Sequence, residues 1–207
     1  HFARLVDQPG SGEVQKAYRE KDLDFHQQTA DMAGVKRSLA KTIGLGVMYG
    51  MGYHKMAREL DMEPQEAKKM LQDFHGKVPF MKGMLEAVMN RANTKGVIRT
   101  LLGRKCRFDL WEPTSWGVHK ALPLNQAQTE YGMAIKRAHT YKSLNRLIQG
   151  SAADQTKKAM VDVYEQLGII PLIQVHDELD CSVKDEKQGN DVKEVMENCV
   201  KLEVPSK

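Results

Sequence analysis

His176, Asp177 and Glu178 stand side by side between the apolar run "GIIPLI" and the segment "DCSV". Two adjacent carboxylates in a strand-like stretch repel each other, and a cation offsets that cost, either a metal ion or a basic partner. A second set of groups lies upstream. Arg37, Lys41, Leu45 and Tyr49 fall four apart, so a helix through them carries one slanting stripe, basic at its N-terminal end and apolar to aromatic at its C-terminal end. Leu39, Ile43 and Val47 fall on roughly the opposite face, towards a core. Arg37 and Lys41 also lie near the helix N-terminus, where the dipole favours an anion. A phosphorylated ligand suits such a stripe, with phosphates on the cations and a flat base or sugar against Leu45 and Tyr49. Gly44, Gly46 and Gly50 each cost about 1 kcal/mol relative to alanine inside a helix, which suggests close approach of a ligand or a helix that must move. Taken alone, the stripe reads more simply as a surface helix with two solvated cations and a core-edge tyrosine.

The elements that must position these groups follow from periodicity. Asp24 with Gln27 three residues on resembles a capping box opening a helix through "FHQQTADMAG". The stripe helix is expected from about Val35 to Tyr49. Pro64 suits the first turn of "QEAKKMLQDFH", with Gly76 ending it. A further helix is expected over Pro79 to Asn93, stopping before Gly96. "VIRTLLGRKCRF" predicts two short strands around Gly103. Arg104 and Lys105 there read as a charged turn. From about Asn125 to Gly168 the pattern is helical, with an irregularity at Gly150. "IIPLIQV" and "LDCSV" predict a hairpin whose turn carries His176 and Asp177, and a last helix is expected over Glu186 to Leu202. Helices, a hairpin and helices without βαβ alternation give an α+β class.

Composition bounds the partners. The 207 residues are 41% hydrophobic and 28% charged, ordinary for a globular chain with a sizeable core. Apolar runs of a few residues predict no membrane span, and no signal peptide is visible. Cys106, Cys181 and Cys199 are widely spaced, which argues against a disulfide framework or a zinc knuckle. The net charge of +4 leans mildly towards a polyanionic partner. The start at His1 and the stop at "KLEVPSK" read as a piece of a longer protein.

Four ordered blocks carry a resemblance. "KRSLAKTIGLGVMYG" resembles motif B of the family A DNA polymerases, and "QVHDELD" resembles their motif C, His-Asp-Glu in a palm hairpin. "NRLIQGSAADQTKKAM" is similar to a conserved helix segment of that family, and "DLDFHQQTA" to the segment just before motif B. The similarity spans nearly the whole chain. It implies a right-hand polymerase architecture, with mostly helical fingers over 1–120 and part of the palm over 121–207. Motif A, the thumb and any exonuclease domain would lie outside the chain.

The resemblance also implies roles. Asp177 would be one of two metal-ligating aspartates, its partner lying in motif A, and the pair would hold two Mg²⁺ ions. Glu178 would be an auxiliary carboxylate near the primer terminus. Arg37, Lys41 and His26 would hold the incoming dNTP, Lys41 also serving as general acid for the pyrophosphate. Leu45 would lie beside the sugar, and Tyr49 would pack at the nascent base pair, where Gly50 allows close approach. Gln149, Asn145 and His176 would contact the primer-template minor groove. The expected enzyme is a monomeric DNA-directed DNA polymerase of the cytoplasm, or of the host cytoplasm if viral, with primer-template DNA and dNTPs as its ligands. No processivity factor is readable.

Two positions depart from the family pattern. Tyr141 stands where polymerase I has arginine, with Lys142 beside it. Leu45 occupies a position usually held by phenylalanine or tyrosine, a variant of phage polymerases in particular, and so points to a viral origin. Two rivals remain at this point: a single-subunit phage-type RNA polymerase, and a non-catalytic DNA-binding descendant of the polymerase fold. Glu178 and "QGSAAD" favour the DNA enzyme; retention of Asp177, Lys41 and Arg37 speaks against the binding module.

Overall fold

Most of the sequence-derived elements form where local chemistry places them. The computed structural model describes residues 1–2, 7, 9–20, 24–117 and 119–204, Phe25 by its backbone alone. After α1 (Ser11–Glu20), Asp24 caps α2 (Phe25–Ala33) by accepting the backbone N–H groups of His26 and Gln27. The capping box is only half made, because the Gln27 side chain donates to Asp31 Oδ1 at 2.8 Å and does not reach back. Gly34, at φ 67°, ends that helix. The stripe helix α3 runs Arg37–Met48, and its Ala40, Ile43, Gly44 and Val47 are buried.

Next come α4 (Tyr53–Glu59), α5 (Pro64–Lys77) and α6 (Pro79–Lys95). The proline at the start of α5 is as expected, but Gly76 does not stop the helix. It continues to Lys77, and Pro79 begins the next helix two residues later. Ile43, Val47, Met56, Phe74, Val78 and Met81 from α3 to α6 form the largest apolar cluster, which fixes the back of α3.

The hairpin of β1 (Val97–Arg99) and β2 (Lys105–Arg107) turns through Gly103 as the sequence predicts. The helical pattern expected from about Asn125 to Gly168 is corrected in its first part. A three-stranded antiparallel sheet forms instead, in the order β4 (Leu122–Pro123), β3 (Leu110–Pro113), β5 (Ile135–Arg137). Only the short α7 (Leu124–Tyr131) lies between β4 and β5, and Gly132, at φ 75°, ends it. The pairing of β3 with β5 spans more than twenty residues, so no local period announces it.

A 3₁₀ turn at Thr140–Lys142 leads into α8 (Ser143–Leu167), a 25-residue helix that passes through Gly150 without interruption. Antiparallel β6 (Pro171–Val175) and β7 (Glu178–Cys181) follow, then α9 (Glu186–Asn198), which stops short of the expected Leu202. Val163, Ile169 and Val192 pack α9 and the start of β6 onto α8. No helix among the described residues is long and apolar enough to cross a membrane.

Candidate functional site

One carboxylate gathers the basic end of the stripe. Asp24 Oδ2 takes the Arg37 Nε at 2.7 Å and its Nη2 at 2.6 Å. Its other oxygen takes the His26 N–H at 2.8 Å and the Gln27 N–H at 3.1 Å. His26 and Arg37, both expected at the triphosphate, are thereby brought to one corner. The hydrogen bond from Arg37, then that from Gln27, hold the Asp24 carboxyl below the usual carboxylate range. Sequence reading had given Asp24 only the cap; its second role depends on the turn between α2 and α3 and has no local signal.

Further along α3, Lys41 is exposed and makes no ion pair among the described residues. Leu45 is half-buried and stands outside the apolar cluster that packs the back of the helix. Tyr49 caps the helix and is 54% exposed. Gln149 of α8 donates its side-chain amide to the Tyr49 hydroxyl at 3.4 Å. Asn145, one turn earlier on α8, is half-buried.

Gly50 makes the same junction from the backbone side. Its φ of 71° suits glycine, and a Cβ there would lie 2.7 Å from the Tyr141 carbonyl oxygen and 3.1 Å from the Tyr141 ring. Tyr141 is therefore in contact with the end of α3. That contact was not readable from the sequence, which marked the position only as a departure.

The hairpin places the acidic set at an apex. Val175 pairs with Glu178, leaving His176 and Asp177 as the two turn residues. His176 adopts φ 54°, a left-handed conformation costly for a non-glycine residue. The Gln174 side chain donates to the His176 carbonyl and braces the turn. Strain of this kind recurs at functional sites. Asp177 is exposed at the mouth of a cleft of about 420 Å³, walled by Gln155 and Thr156 of α8 and by Lys193 and Glu197 of α9. Glu178 and Asp180 are exposed on one face of β7.

Two groups of expected site residues thus emerge. His26, Arg37, Lys41, Leu45, Tyr49, Gly50 and Gln149 form a connected line across α2, α3 and α8, with Asn145 a turn beyond. His176, Asp177 and Glu178 sit apart on the hairpin, and no hydrogen bond or ion pair joins them to α3 among the described residues. Nor do three or more His, Cys, Asp or Glu side chains converge on a metal-sized site there. The two carboxylates offer the hard oxygen donors that suit Mg²⁺, as part of a ligand set.

The α3 stripe thus carries cations suited to phosphate, and a separate hairpin carries carboxylates suited to a metal ion. A sequence model of DNA polymerase family A matches residues 8–207, and the chain belongs to that family. It is 36% identical, over 94% of its length, to the DNA-directed DNA polymerase of Pseudomonas phage M6. To the thermostable DNA polymerase I of Thermus aquaticus it is 30% identical over 90% of its length. The chain spans 31% and 22% of the length of these two relatives. Its structure superposes, over the whole chain, on 36% of the polymerase domain of Pol1 from M. smegmatis, solved in complex with DNA primer-template and dNTP, with a TM-score of 0.76 and 27% identity.

Proposed function

We propose that this chain forms the fingers (1–120) and part of the palm (121–207) of an enzyme that adds dNTPs to a primer 3′-hydroxyl under the direction of a DNA template, in replication or repair. The observation that carries this reading is the Tyr49–Gln149 junction. It sets the end of a nucleotide-ready stripe against a helix with two amide side chains, where a new base pair would be both built and inspected. The polymerase names of the relatives favour DNA synthesis over an RNA polymerase or a non-catalytic descendant.

Arg37 and His26 hold the triphosphate, with Asp24 setting their spacing. Lys41, exposed and without an ion pair among the described residues, contacts the phosphates and releases its Nζ proton to the departing pyrophosphate, as a general acid does. Leu45 lies along the sugar, and Tyr49 offers its ring to the nascent base pair. Gln149, Asn145 and His176 meet the minor groove, where acceptor positions are shared among base pairs, so such contacts test pair shape more than sequence. Asp177 would hold Mg²⁺ together with an aspartate from outside this chain, and Glu178 would assist. When bound, the two ions neutralise the transferring phosphate and align the attacking hydroxyl.

The exposed apolar strand β6 fits this reading. Ile170, Leu172, Ile173 and Val175 are between 50% and 67% exposed, although such a run typically lies inside a sheet. The rest of a palm sheet would cover them.

The test is primer extension by the longer polymerase that contains this chain. Asp177→Ala should abolish nucleotide addition and leave primer-template affinity nearly intact, because affinity rests mainly on phosphate contacts. Near-normal turnover by that variant would remove Asp177 from the metal site. The 207 residues alone should not extend a primer, since they supply only one of the two metal-binding aspartates.

A further inference from the structure

Between residues 91 and 108 the chain carries Arg91, Lys95, Arg99, Arg104, Lys105 and Arg107, and no acid. The hairpin register sets Arg99 directly opposite Lys105, and Val97 opposite Arg107. Arg99, Lys105 and Arg107 therefore share one face, and all three are exposed. The alternate pair, Ile98 and Cys106, turns inward onto Phe108 and Leu147. Like charges directly opposite across an antiparallel pair are destabilising, and no carboxylate pairs with these three among the described residues. Arg99 spends one N–H on the Gly103 carbonyl, at 2.9 Å. A polyanion laid on this face would turn the repulsion into attraction.

A two-stranded hairpin of three-residue strands does not hold itself rigid. Here α8 holds it. The Leu101 N–H donates to Ser151 Oγ at 2.9 Å, Arg104 Nη2 to the Gly150 carbonyl at 2.8 Å, and Arg104 Nε to Asp154 Oδ1 at 2.8 Å. The approach is close enough that a Cβ on Gly150 would lie 2.8 Å from the Thr100 methyl group. This explains a glycine in mid-helix that does not bend it. Asp154 is only 6% exposed. Burial pushes its carboxyl up, but the neighbouring Thr100 hydroxyl and the Arg104 guanidinium bring it below the usual range, with Oδ1 on Arg104 and Oδ2 buried without a hydrogen bond. A charged group is thus buried under the turn, a costly arrangement that the Arg104 ion pair offsets at one of its two oxygens.

We propose that the Arg99–Lys105–Arg107 face contacts the phosphate backbone of a nucleic-acid duplex, and that Asp154 is its positioning residue, fixing the hairpin to α8 beside Gln149. The identity of the duplex as primer-template rests on the polymerase reading above. Because Asp154 anchors the turn one helical turn beyond Gly150 and Ser151, the backbone contacts and the Gln149 contact keep a constant offset.

The experiment measures primer-template affinity of the longer polymerase by fluorescence anisotropy over a range of salt. Each phosphate contact adds about 0.9 to the slope of log affinity against log salt. The double variant Lys105→Gln/Arg107→Gln should weaken binding and lower that slope by about 2. Asp154→Asn separates positioning from charge. Removing an acid beside a cationic face would by charge alone tighten DNA binding; loss of positioning weakens it and lowers the slope. In the Lys105→Gln/Arg107→Gln background, Asp154→Asn should have little further effect. Ser151→Ala removes a different anchor and should act in the same direction, which keeps the test in place if Asp154→Asn misfolds.

An unchanged slope in Lys105→Gln/Arg107→Gln would overturn the contact. Affinity equal to or tighter than wild type in folded Asp154→Asn, or additive losses in the combined variant, would overturn the positioning role. In either case, a wild-type enzyme that binds and extends primer-template leaves the polymerase reading standing. Failure of the wild type to do either would remove that reading, and the duplex's identity with it.

Discussion

The Gln149 amide and the Tyr49 hydroxyl meet at 3.4 Å, although one hundred residues separate them. Each side chain is expected to serve the new base pair, one from the nucleotide side and one from the duplex side. In this structure they engage each other, joining the end of α3 to α8.

That contact is long and exposed, so its loss alone is worth little, about 0.5 kcal/mol. Tyr49→Phe should lower kcat/KM for the correct dNTP by no more than about threefold. Tyr49→Ala removes the ring itself, and a base–aromatic stack is worth about 1–3 kcal/mol. Its kcat/KM should fall by about five- to a hundredfold. Steady-state kinetics on one template decide; equal losses in the two variants would mean that the hydroxyl, not the ring, does the work.

Two glycines should respond in opposite directions to alanine. At Gly50 the left-handed backbone and the Tyr141 carbonyl at 2.7 Å leave no room for a methyl group. Gly50→Ala should cost about 1–3 kcal/mol and move α3 away from α8, which raises KM for dNTP. At Gly76, inside α5, nothing lies within 4 Å of a new Cβ. Gly76→Ala should gain up to about 1 kcal/mol. Urea midpoints of both variants provide the comparison, and a neutral Gly50→Ala would show that the junction yields easily.

The pH dependence of stability should carry a mark from His75. Burial, then the positive charge of Lys82, lower its imidazole below the usual range, with Glu86 opposing, and its Nδ1 is buried without a hydrogen bond. A lowered folded-state value means that the unfolded chain takes up the proton first as pH falls. His75 therefore contributes stability that is fully present above its ordinary value of about 6.5 and is lost as pH drops towards the folded-state value. His75→Gln, which cannot titrate, should reduce the fall in Tm between about pH 7 and pH 5. Parallel slopes for the two proteins would assign the acid sensitivity elsewhere.

How much of this was legible depended on the range of the interactions. The α3 stripe was readable because a four-residue spacing and an opposite face of Leu39, Ile43 and Val47 are local facts. The His176–Asp177 turn was readable because two apolar runs flank it. The small sheet around Trp111 was not, since β3 gains its partners from strands on either side of α7. The Asp24–Arg37 pair and the Asp154–Arg104 pair were missed for the same reason: each joins two elements whose approach is set by tertiary packing. Gly150 looked like an irregularity because its reason, the Thr100 methyl group, lies on another element.

Leu45 offers the sharpest test of nucleotide placement. It follows Lys41 by one turn, is half-buried, and takes no part in the apolar cluster behind α3. If the phosphates sit on Lys41 and Arg37, the sugar comes next along the stripe. In the family, a tyrosine at this position tolerates a sugar lacking its 3′-hydroxyl, because the phenol oxygen stands in for the missing group. Leucine has no such oxygen, so the enzyme should discriminate strongly against dideoxynucleotides. One well-placed polar contact is worth roughly 0.5–3 kcal/mol, up to about a hundredfold in rate. Leu45→Tyr should therefore raise dideoxynucleotide incorporation, relative to the normal substrate, by about one to two orders of magnitude. Leu45→Phe, which adds the ring without the hydroxyl, should change it much less. Competition between dideoxy and deoxy substrates on one template, with all three proteins, separates these outcomes. Equal discrimination by the leucine and tyrosine forms would place the sugar away from Leu45 and shift the nucleotide along α3.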